Sequence, residues 1–208
     1  MQVASDGAPI PVLQRWNTIF PEISDITTLL HDAASLSNYI AERAIVSNIW
    51  KDDLFVSRTF NGVVHQLLSL ERHTEAIDAG TSSSQLVLRE TMRRACLIFF
   101  ALLREKFSVH PSGISQHQNG VKELLVQYSV DWSEFLELRL WALVTASLAI
   151  ENYEISWYID EIRGTAGQMG ISRWDDIIQV VMGVLWMGET FKTRNDVLKD
   201  LFELSTVI

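Results

Sequence analysis

Apolar residues recur along this chain at three- and four-residue spacing, and no segment alternates with the two-residue period of a strand. From Ser24 or Asp25, either able to cap a helix, Ile26, Leu29, Leu30, Ala33, Leu36 and Ile40 define one face. A second helix is predicted over about 52–72, with Phe55, Val56, Phe60, Val63, Val64, Leu67 and Leu68 inward. A third spans about 85–107 and a short one about 121–128. Asp131 followed by Glu134 reads as an N-terminal cap for the helix containing Trp141, and Ser172 with Asp175 repeats the device before WDDIIQVVMGVLW.

Breaks in this pattern mark the connections. AGTSSSQ (79–85) and HPSGISQHQNG (110–120) are loops by composition. Three of the four prolines fall at Pro9, Pro11 and Pro21, so residues 1–21 are read as an extended arm. The long proline-free runs on either side of Pro111 suit helices, because an interior proline costs about 3 kcal/mol. The fold class predicted is all-α: one compact domain over 22–208 with seven or eight helices.

Composition narrows the functions. At 208 residues with 48% hydrophobic and 21% charged residues, the chain can bury a proper core. The uncharged run from Leu140 to Ile150 is only 11 residues long, whereas a membrane span needs about 20, so it reads as a buried helix. The single cysteine, Cys96, excludes internal disulfides and cysteine-based zinc sites, and a nuclear or cytoplasmic setting is expected. The N-terminus shows no secretory signal.

The formal charge of −9 is the wrong sign for holding nucleic acid directly. The purified chain is therefore expected to bind duplex DNA no better than a generic acidic protein. Sub-micromolar binding in a gel-shift titration, weakening steeply with salt, would contradict this.

Few residues carry recognisable chemistry. No phosphate-binding loop, dinucleotide fingerprint or hydrolase motif is present. His110 and His117 flank the loop at Pro111 but lack the further ligands of a metal site, so no metal and no cofactor is assigned. Asn195, Asp196 and Glu203 fall at the spacing of a magnesium-binding motif of terpene cyclases. Lys199, however, stands where that motif needs a hydroxyl, and the partner DDxxD motif is absent. Arg89 and Arg93 share a helix and suit either an anionic group or ion pairs with the chain's own acids. The seven tryptophans read first as core, and they are also the lining expected of a pocket for a flat apolar ligand.

The order of motifs carries one resemblance. VVHQLLSL (63–70) is followed by ETMRRACLIFFALLREKF (90–107), then LRLWALVTASLAIENYEISWYIDEIR (138–163), then MGISRWDDIIQVVMGVLWMGE (169–189). This order resembles the regulatory domain of fungal-specific transcription factors, over about residues 55–208. Members of that family usually carry an N-terminal zinc-cluster DNA-binding module with six cysteines, which one cysteine cannot supply. Met1 fits a natural start and hence a stand-alone relative, the other expectation being a domain excised from a longer regulator. A second departure is Ala146-Ser147, which stands where the family has a small glycine pair.

The resemblance implies a helical domain that senses an apolar small molecule, pairs with a protein partner or a second copy, and acts in transcription regulation. The alternative is a stand-alone cyclase or isomerase of a terpenoid or polyketide on the same scaffold, a role in secondary metabolism. The candidate ligand-binding residues are His65, Arg89, Arg93, Trp141, Tyr153, Trp157 and Trp186, with Asp160 a further polar candidate under the enzymatic reading.

Overall fold

The computed structural model describes residues 10–46, 48–70, 84–107, 114–150 and 155–204, and every regular element among them is helical. There are nine helices among the described residues, rather than the expected seven or eight. They are α1 (Pro11–Ile19), α2 (Asp25–Val46), α3 (Asp53–Phe55 running through a wide turn at Val56–Phe60 into Asn61–Ser69), α4 (Ser84–Lys106), α5 (Ile114–Gln127), α6 (Leu136–Ser147), α7 (Ile155–Gln168), α8 (Trp174–Met182) and α9 (Gly188–Leu204). Short single-turn helices at Pro21–Ile23, Ile49–Lys51 and Ser133–Phe135 connect some of them.

Two helices are buried on nearly all sides and organise the rest. In α4 the run from Val87 to Phe100 is inaccessible apart from the half-buried Arg94, and α2, α3, α5 and α6 pack around it. In α6 every residue from Leu140 to Ser147 is buried, with α4, α5, α7 and α8 around it. The uncharged run thus exists because that part of the helix has no solvent face.

Gln118 of α5 ties three helices together at this level. Its side-chain amide donates to the Ala146 carbonyl at 3.2 Å, and its backbone carbonyl accepts from the Tyr158 hydroxyl at 3.1 Å. Nearby, Gly120 gives α5 room beside α4, since a Cβ there would sit 1.2 Å from Nη1 of Arg94. Helix α7 ends at Gly170, whose φ of 72° lets the Ile171 amide reach back to the Ala166 carbonyl at 2.9 Å.

Several expectations need correction. Residues 11–19 of the expected arm are helical: Pro11 opens α1, where its missing donor is harmless and its fixed φ is already helical. Val12, Leu13 and Trp16 are buried, and Trp16 packs on Phe135 at 5.1 Å. Arg15 forks onto the Glu137 carboxylate at 2.8 and 2.9 Å, fastening α1 to α6.

Leu68 is 44% exposed rather than inward. The wide turn at Val56–Phe60 adds a residue to the helical repeat, so the buried face downstream is carried by Leu67. The expected loop at 110–120 is helical from Ile114, so α5 is longer than predicted. Asp131 accepts the Ser133 amide at 2.9 Å and thereby caps the single turn ahead of α6. At α8 the residue before the first turn is Arg173, with no side-chain cap, so Ser172 does not serve.

Candidate functional site

Trp50 and Trp186 both line a partly open cleft of about 540 Å3, within the range of small-molecule sites. Ala41, Ala44 and Ile45 at the end of α2 contribute a second apolar edge, and Met187 lies beside Trp186. Lys106 closes α4 at the cleft, while Gly188, Glu189 and Thr190 bring in the first turn of α9. Ile45 is 86% exposed, an apolar side chain left in water beside the opening.

The two tryptophans are joined beneath the cleft by a continuous run of ring contacts. Trp50 touches Phe107 at 5.1 Å, Phe107 touches Phe60 at 5.4 Å, and Phe60 touches Phe100 at 5.4 Å. Phe100 meets Phe99 at 5.6 Å, Phe99 meets Phe191 at 5.4 Å, and Phe191 meets Trp186 at 5.4 Å. Most of these pairs are tilted or edge-to-face, the arrangements that ring quadrupoles favour. A ligand displacing either indole therefore presses directly on the core between α3, α4 and α9.

The structure scatters the residues singled out from the sequence. Trp186 lines the cleft. Trp141 is wholly buried in the core, its indole N–H donating to the Leu185 carbonyl at 2.7 Å. That bond fixes the turn from which Trp186 projects, so Trp141 supports the cleft without touching it. Trp157 lies edge-on to Tyr158 at 4.7 Å under the ammonium of Lys122, away from the cleft. His65 is exposed on α3 with Ser69 Oγ at 3.3 Å from Nδ1. Asp160 is also exposed, near Arg163 at 3.6 Å. Tyr153 lies outside the described residues.

Both candidate arginines are held in ion pairs. Arg89 Nε donates to the two Asp25 oxygens at 3.0 and 3.2 Å, joining α4 to the start of α2. Arg93 forks onto Glu90 with two 2.7 Å bonds, and Arg94 Nε reaches the same carboxylate at 2.8 Å. Burial alone would raise the Glu90 carboxyl, but hydrogen bonds and charge from Arg93 and then Arg94 hold it below the ordinary glutamate range. Burial pushes the neighbouring Cys96 thiol far up, against the opposing charge of Arg93, so it stays protonated and unreactive.

The cyclase-like spacing near the C-terminus is used for packing. Asn195 accepts the indole N–H of Trp174 at 3.1 Å, and Asp196 pairs with Lys192 at 3.7 Å. Lys199 pairs with Asp175 at 2.8 Å and approaches Glu203 at 4.0 Å. A lysine hydrogen-bonded to Asp175 lowers that carboxyl and is itself raised, so a cation occupies the place a metal would need. Among the described residues no group of three or more His, Cys, Asp or Glu side chains is placed to hold a metal ion. No described helix is long and apolar enough to cross a membrane.

Sequence reasoning missed Trp50, Lys106 and Met187. The one available signal was a tryptophan in the short Asn-Ile-Trp-Lys link after α2, off any helical stripe. Compared with known proteins, the chain matches no family model, no curated protein and no solved structure.

Proposed function

We propose that this chain is a ligand-sensing helical regulatory domain, of the kind its motif order resembles, that takes an apolar small molecule into the cleft between Trp50 and Trp186. One observation carries the reading: an apolar, partly open space of about 540 Å3 whose two indole walls are wired by ring contacts into the core. A site built in this way can favour one packing of the core over another, which is what a ligand must do to shift a protein between states. The residues around it belong to four separate stretches of chain, so an occupant would draw the ends of α2 and α4 and the start of α9 together. Contact with DNA would pass through a partner or through a module outside this sequence, in keeping with the charge of −9.

The binding half of the proposal is tested by thermal shift and tryptophan fluorescence against sterols, terpenoids and polyketides. A bound ligand is expected to raise the melting temperature and change the emission. Trp50→Ala and Trp186→Ala should each weaken binding by about tenfold, from loss of stacked area. Because both rings are half-exposed, neither change should unfold the domain. No response to any member of the panel would remove the cleft as a ligand site. The regulatory half is tested by fusing the chain to an unrelated DNA-binding module. Reporter output that is indifferent to a ligand proven to bind would leave a binding module without a regulatory role.

A further inference from the structure

The cleft's rim carries one basic and one acidic side chain, Lys106 and Glu189. Glu105 is engaged by Arg194 at 2.8 Å, yet the adjacent Lys106 has no ion-pair partner among the described residues, and neither has Glu189 in the first turn of α9. A ligand with a full negative charge would meet Lys106 but also Glu189 and the protein's overall charge of −9. A full positive charge would reverse the conflict at Lys106. Either charge would also lose hydration on entering a mostly apolar cleft.

Hydrogen-bonding capacity resolves the conflict. The lysine ammonium only donates, an ionised glutamate only accepts, and the hydroxyl of Thr190 does both. A neutral edge that offers one acceptor and one donor satisfies this rim without an opposed charge. The walls set the rest of the shape, since two indoles and the Met187 thioether favour a flat ring system over a flexible chain.

We infer that the cleft's occupant is an uncharged, planar ring system that carries a carbonyl acceptor, met by Lys106, and a hydroxyl donor, met by Glu189. This rests on the cleft being the ligand site, and the experiment separates the two claims. Four probes sharing one ring system are compared by equilibrium dialysis with the full chain: flavone, a hydroxyflavone, a flavone carboxylate and an aminomethylflavone. The hydroxyflavone should bind tightest, with flavone about fivefold weaker for want of one hydrogen bond and both charged probes weaker still. Lys106→Met should weaken the hydroxyflavone and flavone alike, by about fivefold, through the carbonyl they share. Glu189→Ala should weaken the hydroxyflavone to the level of flavone and leave flavone unchanged. Tightest binding by the carboxylate or by the ammonium probe would overturn the inference, as would binding of all four that ignores both substitutions, and in each case the cleft would remain the ligand site. Binding by none of the four counts against the inference and the cleft together, and binding left unchanged by Trp186→Ala removes the cleft and the inference with it.

Discussion

Replacing Trp141 with alanine is expected to destabilise the domain by about 3–5 kcal/mol, the range for deleting a fully buried large aromatic. The indole sits in the stretch of α6 that has no solvent face, and has no exposed surface of its own, so the cavity left behind cannot fill with water or collapse cheaply. A second loss adds to the first. The 2.7 Å bond from the indole N–H to the Leu185 carbonyl disappears, leaving that carbonyl buried and unsatisfied. Trp141→Phe separates the two effects, since it retains most of the ring volume but not the donor. It should cost about 1–3 kcal/mol, and more of that cost should fall on the cleft, because Leu185 adjoins Trp186. Urea denaturation followed by circular dichroism measures both. A Trp141→Ala protein that melts within a degree or two of the parent would mean the central packing is wrong.

Glu90→Ala should cost a similar amount, about 3–5 kcal/mol, by a different route. Glu90 and Arg93 are only 1% and 3% exposed, and one carboxylate accepts three hydrogen bonds from two guanidinium groups. Removing it strands the Arg93 charge in the interior. The double variant Glu90→Leu with Arg93→Met should recover much of the loss, because the fully buried Arg93 charge is gone and only the half-buried Arg94 is left without its acid. If the double variant is no more stable than Glu90→Ala, the cost comes from lost packing alone.

The same pair fixes a pH dependence. The Glu90 carboxyl lies below its unfolded value in the folded protein, so the folded state binds fewer protons at this site. Its stabilising contribution is therefore fully present above the unfolded glutamate pKa of about 4.3 and is lost as pH falls through the folded value. The stability difference between the parent and Glu90→Gln should be constant from neutral pH to about 5 and shrink below about 4. A difference that grows on acidification would reverse the sign assigned here.

How far the site could be read in advance depended on how local its causes were. Trp186 was visible because it ends an apolar helical stripe within an ordered set of motifs. Trp50 was not, because nothing in its own link distinguishes a cleft wall from an ordinary buried ring. Arg89 and Arg93 were correctly seen as a cationic pair on one helix. Whether they face a ligand or an acid depends on partners elsewhere, and Asp25 lies 64 residues from Arg89. Trp141 had the composition of a pocket lining and the position of a keystone, and only its burial and its bond to Leu185 in the link between α8 and α9 show which.

The sequence by itself determined what short-range physics controls. The 3.6-residue period of Ile26, Leu29, Leu30, Ala33, Leu36 and Ile40 is enough to make α2 a helix with one buried face, and all six are buried. The absence of charge from Leu140 onward already implied a stretch of helix enclosed on every side. Only the tertiary structure decided that residues 11–19 coil onto the core, that a wide turn in α3 hands its buried face to Leu67, and that Trp50 and Trp186 line one cleft. Each of these depends on contacts between stretches far apart in the chain. The free energy of such contacts comes from burying surfaces against one another, and no local pattern records which surface will be the partner.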